Sequence, residues 1–311
     1  MEYSEAEIIA ELAKIFTLPD SRIVVGIGDD AAVVTTSHRT VITTDMAVEG
    51  VHFRREWSSA FDIGRRITAA NLADIFAMGA TPDHLVVGLA LSGNESLEWI
   101  RELAIGIDQE ARKCHVSVVG GDIVRASEVM ISVTAVGRVG TPILRSGAVV
   151  GDEIVISNLP GWSAAGLFLL SREVDLESLE VGASASAQRA LAQYRAPTVA
   201  YQDAPFMRFA HAMTDISDGL MVQGEQIAKA SGVHLCLSSA QIATHPDFAD
   251  LSELATAVEA DVWDWIGAGG EDHIFLATGK GVPGFLIGDV REGSGVEIVG
   301  VERKLSGFSH F

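Results

Sequence analysis

Carboxylates recur in this chain beside glycines and small hydroxyl residues, several of them at the close of an apolar run. Residues 22–28 run into Asp29 and Asp30, residues 40–44 into Asp45, and residues 116–121 into Asp122. Residues 212–214 run into Asp215, followed by Ser217, Asp218 and Gly219, and Gly269-Gly270 precedes Glu271 and Asp272. Acids at strand ends in such company suggest a divalent-cation site. Were Asp30, Asp45, Asp74, Asp122 and Asp215 to converge, each like-charged pair at ~4 Å would repel by about 1 kcal/mol in water and about 4 kcal/mol at an effective dielectric of 20. Cations would offset that repulsion. Oxygen-only donors select Mg²⁺, Ca²⁺ or Mn²⁺ over zinc. Mg²⁺ takes one or two carboxylates and completes its shell with water and phosphate oxygens.

Taken singly, each acid has an ordinary explanation. An Asp near a turn is most often a turn or cap residue; Asp122 could end a strand and Asp218 could cap a helix. Thr43-Thr44-Asp45 sets neutral oxygens beside a carboxylate, or simply ends a strand with two β-branched residues. Asn71 and Asp74 share one face of a predicted helix, and that face continues to Met78. Gly120-Gly121 and Gly269-Gly270 would let backbone amides approach a phosphate. No G-x-x-x-x-G-K-[ST] occurs, so this is not a P-loop enzyme, and the protein-kinase signature set is missing too. Arg145 is a phosphate clamp if it lies between two domains, and otherwise a surface arginine. His52, just past the Asp45 segment, is structural unless it shares the acids' site.

The chain that must position these groups has 311 residues, 48% hydrophobic and 21% charged, which favours two domains with packed cores. Its formal charge of −20, with no basic patch standing out, argues against a nucleic-acid or anionic-membrane partner. No apolar run is long enough to span a bilayer, and the N-terminus shows no signal-peptide pattern. Cys114 and Cys236 lack metal-ligand spacing and read as reduced thiols, fitting a cytoplasmic location.

Ser4-Glu5-Ala6-Glu7 reads as a capping box. Short strands follow at 23–26, 31–35 and 40–44, then a long helix over 59–78 and a strand over 85–91. Asn94 is placed to cap a helix running to about Lys113, before strands at 116–119 and 129–139. The loop at 140–151 marks the boundary between domains 1–140 and 150–311. Beyond it come a strand at 153–157, a helix at 163–172, a surface helix and loop at 175–190, and a helix starting at Pro197. A strand ending at Thr214, a helix from about Asp218, and strands at 233–237, 274–278, 285–288 and 296–301 complete the chain. Strands and helices mix without strict βαβ alternation, so the expected class is α+β, with two mixed domains.

The motifs together resemble one family. Gly26-Ile27-Gly28-Asp29-Asp30-Ala31-Ala32, Thr43-Thr44-Asp45, Gly50-Val51-His52-Phe53, Asn71-Leu72-Ala73-Asp74 through Gly79-Ala80, Gly120-Gly121-Asp122, Arg145-Ser146-Gly147, Asp215-Ile216-Ser217-Asp218-Gly219-Leu220 and Gly269-Gly270-Glu271-Asp272 match, in order, those of the thiamine-monophosphate kinases. That family lies in the aminoimidazole ribonucleotide synthetase-like superfamily. The resemblance implies an N-terminal α/β domain that helps form a dimer and a C-terminal α+β domain, with ATP and several Mg²⁺ ions in the cleft between them. By motif match, Asp30, Thr43, Thr44, Asp45, Asp74, Asp122, Asp215 and Asp218 would be metal ligands. Gly121, Arg145 and Ser217 would contact ATP, while His52 and Glu271 would contact thiamine monophosphate. Phe308 stands where the family carries a larger aromatic that packs on the thiamine.

The implied reaction is phosphorylation of thiamine monophosphate by ATP to give thiamine diphosphate, in a homodimer, by direct transfer. No acid–base or nucleophile pair is needed, because the acceptor phosphate is already ionised. Two superfamily relatives that rely on a reactive terminal Cys or selenocysteine are disfavoured, since no Cys precedes Cys114 or follows Cys236. Aminoimidazole ribonucleotide synthetase is disfavoured by the His52 motif and the C-terminal ending. A metal-dependent phosphatase and a non-catalytic nucleotide or cation sensor are the readings from other classes.

Overall fold

The computed structural model describes residues 11–12, 14–17, 19–25, 33–36, 39–302 and 305. The expected capping box, Asp29, Asp30 and Phe308 lie outside the described residues. Backbone contacts divide the chain into two compact units, Met1–Phe76 with Ala80–Thr141, and Ala77–Gly79 with Pro142–Phe311.

In the first unit, β1 (Ile23–Val25) pairs antiparallel with β2 (Val33–Val34). A separate four-stranded sheet contains β3 (Arg39–Val48), β4 (Thr81–Leu91), β5 (Ser117–Arg125) and β6 (Met130–Val139) in the order β3-β6-β4-β5. Only the β4–β5 pair is parallel. Along β6, buried and half-buried residues alternate without a break, the period expected when one face of a sheet meets a core. Helix α1 (Ala60–Ala77) supplies Ala69, Leu72, Ala73 and Ile75 to that core.

Helix α2 (Leu97–Lys113) begins two residues later than Asn94 would have it. Ser96 is the cap, its hydroxyl accepting from the Trp99 N–H at 3.1 Å, while the Asn94 N–H is turned to Ser92. β3 and β5 also run further than expected, so Asp45 and Asp122 lie inside strands rather than at their ends. Both are edge strands. There the ladder continues past an acid, because apolar residues resume at Met46 and Ile123.

An ion-pair cluster ties this unit together. Buried Asp83 receives both Arg22 and Arg138, and Asp20 holds Arg22 at 2.8 Å. Hydrogen bonding from Arg22 lowers the Asp20 carboxyl from 3.8 to about 2. A carboxyl depressed on folding stabilises the folded state above its unfolded pKa, and that contribution is lost as pH falls through the folded value. Unfolding free energy is therefore expected to drop by about 2 kcal/mol between pH 4 and pH 2 on account of this one group. Urea titrations at stepped pH check this: Asp20→Asn should flatten that part of the profile, and an unchanged profile would contradict it.

The second unit is built on a six-stranded sheet in the order β12-β9-β11-β7-β10-β8. Its strands are β7 (Glu153–Ile156), β8 (Ala212–Ile216), β9 (His234–Ser238), β10 (Ile274–Gly279), β11 (Phe285–Arg291) and β12 (Gly295–Val299). All pairs are antiparallel except β12–β9. Helices α3 (Trp162–Ser171), α4 (Val181–Arg195), α5 (Leu220–Ser231), the single turn α6 (Ser239–Ile242) and α7 (Phe248–Ala257) complete it.

Two expectations fail here. The stretch 175–190 is not a surface appendage: α4 occupies much of it, and Ala183, Ala187, Ala190 and Leu191 are buried. No helix starts at Pro197. The Thr198 N–H is taken by the Gln193 side chain at 3.1 Å, and the next element is a 3₁₀ turn, Ala204–Met207.

Candidate active site

Thr43 and Asp45 are two apart on β3, so their side chains share a face. Asn71 and Asp74 are three apart on α1 and meet that face. The Thr43 hydroxyl donates to Asp74 Oδ2 at 2.7 Å, and the Asp45 N–H donates to Asn71 Oδ1 at 3.1 Å. Asn71 is 0% exposed, yet its amide also donates to the Ile67 carbonyl, so its burial is matched at both ends. The result is an oxygen-only cluster of Thr43, Asp45 and Asp74, with Asn71 as its brace.

Two expected members do not join it. Thr44 points to the opposite face, where its hydroxyl donates to the Val133 carbonyl at 3.1 Å. Asp122 pairs in register with Gly88, which pairs with Ser132, so its side chain is also on the Thr44 face. It lies three strands from β3, about 14 Å at ~4.8 Å per strand. Gly121 has a packing reason of its own, because a Cβ there would stand 2.1 Å from the Val87 carbonyl oxygen. His52 Nδ1 accepts the Val48 N–H at 3.1 Å, which leaves the proton of the neutral ring on Nε2.

In the second unit β8 carries Asp215, which is 2% exposed. His273 Nδ1–H donates to Asp215 Oδ2 at 3.0 Å. Among the described residues Oδ1 has no hydrogen-bond partner. Oδ1 is not among the buried polar atoms that lack a partner, so it is the carboxylate oxygen left open to water or a cation. Arg145 stands beside the same strand, its Nε donating to the Thr214 hydroxyl at 3.3 Å.

Past β8, Ser217 and Asp218 are clasped by Gln223, which is almost fully buried. Its amide reaches Ser217 Oγ at 3.2 Å and Asp218 Oδ2 at 3.4 Å, and its oxygen accepts the Asp218 N–H. Asp218 does not cap α5: the cap position is Gly219, with no side-chain cap bond.

The segment Glu271-Asp272-His273 is pinned to this loop. The Glu271 N–H donates to the Ser217 carbonyl at 2.7 Å and the His273 N–H to the Ile216 carbonyl at 2.9 Å. Gly270 makes the approach possible, since a Cβ there would lie 2.1 Å from the Ser217 oxygen. Glu271 and His273 both adopt positive φ, 67° and 52°, the kind of backbone outlier that clusters at functional sites. Asp272, between them, caps α3, accepting the Gly161 and Ser163 N–H groups at 2.6 and 2.9 Å. Burial raises its carboxyl to about 6 against the pull of those amides. For His273, burial opposes the imidazolium, but contacts with Asp215 and Glu271 outweigh it and raise the pKa.

His273 and Gln223 were not anticipated from the sequence. Gln223 left a legible trace, a polar residue in the apolar stripe Leu220, Gly224, Ile227. His273 left none beyond its place next to Asp272.

Among the described residues no three His, Cys, Asp or Glu side chains group closely enough to hold a metal unaided. The donors still fit Mg²⁺: the acids of both units offer carboxylate oxygens, Thr43 and Ser217 add hydroxyls, Asp215 Oδ1 is open, and water and phosphate fill the remaining Mg²⁺ positions.

Residues 28–139 match the family described as AIR synthase related protein, N-terminal domain. A thiamine-monophosphate kinase of Mycobacterium tuberculosis H37Rv is 38% identical over 82% of this chain and 74% of the relative. One from Corynebacterium glutamicum is 37% identical over 91% of this chain and 86% of its own length. The solved structure of AaThiL complexed with AMPPCP and TMP superposes with a TM-score of 0.80 at 29% identity, covering 100% of this chain and 98% of that one. The fold is therefore the mixed α and β fold of the aminoimidazole ribonucleotide synthetase-like superfamily. This chain belongs to the thiamine-monophosphate kinase family.

Proposed function

We propose that this chain transfers the γ-phosphoryl group of ATP directly to thiamine monophosphate, giving ADP and thiamine diphosphate. The observation that carries this is the near-complete superposition on a relative complexed with AMPPCP, an ATP analogue, and TMP, taken here as thiamine monophosphate. Kinship to thiamine-monophosphate kinases at 37% and 38% identity supports it.

Phosphoryl transfer passes through a loose transition state, so catalysis is chiefly positioning and charge neutralisation. Several bound Mg²⁺ ions would screen the repulsion between two polyanions and the charge that develops during transfer. Asp30, Thr43, Asp45, Asp74, Asp215 and Asp218 are the residues we assign to hold them, with Thr44 and Asp122 as separate ligands. Gly121, Arg145 and Ser217 take ATP; Arg145, next to Thr214, brings a permanent positive charge to a very acidic chain. His52, Glu271 and Phe308 form the acceptor side. No side chain need act as general base.

Homodimerisation fits one further observation. Ile42, Met46, Val86 and Val124 share one face of the four-stranded sheet and are exposed, Ile42 by 67% and Met46 by 51%. A second copy would cover that face. No helix among the described residues is long and apolar enough to cross a membrane. We place the reaction in the cytoplasm, where Cys114 and Cys236 stay as the free thiols seen here.

Incubation with thiamine monophosphate, Mg²⁺ and ATP should yield thiamine diphosphate. Release of thiamine and phosphate without ATP would instead favour a phosphatase, and nucleotide binding without any turnover a sensor.

A further inference from the structure

His273 is almost fully buried, and its ring lies between two groups assigned to the reaction. Nδ1 is 3.0 Å from Asp215 Oδ2, and Nε2 is 3.8 Å from Glu271 Oε2. Its backbone is held by the Ile216 carbonyl in a left-handed conformation that few non-glycine residues adopt. Phe275, two residues on, pairs in register with Asp215 itself. Of the two carboxylates beside the ring, only Asp215 is within hydrogen-bond distance.

We propose that His273 is a positioning residue: by donating Nδ1–H to Oδ2 it locks the Asp215 carboxylate so that Oδ1 is the oxygen offered to a divalent cation. This rests on Asp215 being a cation ligand. The partners of ligating carboxylates orient them, and their loss typically weakens metal binding by about 10- to 100-fold. The neighbouring contact to Glu271 makes the same ring a link between the cation side and the acceptor side of the site.

The test is a Mn²⁺ titration of the full chain with AMPPCP, followed by electron paramagnetic resonance. His273→Leu removes the donor and should weaken Mn²⁺ binding by about 10- to 100-fold. His273→Asn tolerates the left-handed backbone and keeps an N–H near the Nδ1 position, so it should stay within about threefold of the parent. Parent-like Mn²⁺ affinity in a folded His273→Leu protein overturns the proposal. If His273→Leu does not fold, His273→Gln, whose longer chain carries the N–H past Asp215, takes its place. Equal losses in the Asn and Gln variants would then overturn the proposal. Asp215→Asn separates the two readings, since undiminished Mn²⁺ binding there removes the cation role of Asp215 itself.

Discussion

Asp45→Asn is expected to lower kcat by about 10³-fold, roughly 4 kcal/mol of transition-state stabilisation, with little change in melting temperature. The substitution is nearly isosteric and leaves the backbone hydrogen bonds of the position in place. Asp45 sits opposite Val133 in the ladder between β3 and β6, and its N–H is bonded to Asn71. What changes is charge. On the proposed reading the Asp45 carboxylate would be the anionic oxygen donor from β3, beside Thr43 and Asp74, and an amide oxygen binds Mg²⁺ far less well than a carboxylate. Steady-state rates at saturating Mg²⁺, paired with a thermal melt by circular dichroism, check this. Retained activity would remove Asp45 from the metal set, and a large fall in melting temperature would make its role structural.

Asp272→Ala should have the largest effect on stability, a loss of about 2–4 kcal/mol. The carboxylate is fully buried and accepts two backbone N–H groups at the start of α3. Each amide left without an acceptor costs about 1–3 kcal/mol, and the truncation also leaves a void. Burial of the charge, visible in its raised pKa, already offsets part of the cap's gain, which keeps the estimate below the full sum. Asp272→Asn retains one acceptor oxygen and should lose about half as much. Urea unfolding at constant slope measures both; a shift under about 0.5 kcal/mol for Asp272→Ala would contradict the capping role.

The elements that bury one face were plain in the sequence, because their periods are set by local geometry. The alternation in β6 follows from side-chain spacing alone, whereas the helix over 59–78 was marked by its length and is buried nearly all round. The same logic puts Asn71 with Asp74, and the structure brings that face to Thr43 and Asp45, while Thr44 of the same motif faces away. Spacing does not reveal register. Between Leu85 and Val86 the pairing of β4 with β5 skips a residue, from Val118 to Gly120. One such slip decides which face every later residue of β5 occupies, Asp122 included. Composition misled at 175–190, where alanines that look like surface filler let α4 pack closely on α3: Gly166 comes so near that a Cβ would lie 2.3 Å from the Ala190 oxygen. His273 was invisible because its partner, Asp215, is 58 residues away, and nothing local marks the meeting of the two.

The central claim is that phosphate moves from ATP to thiamine monophosphate in one step. A single-turnover experiment with γ-labelled ATP, Mg²⁺ and excess thiamine monophosphate tests it most directly. The account predicts that label appears in the terminal phosphate of thiamine diphosphate, in step with ADP, and never on the protein. Label recovered only as inorganic phosphate, or trapped on the chain as a phosphoprotein, would contradict it.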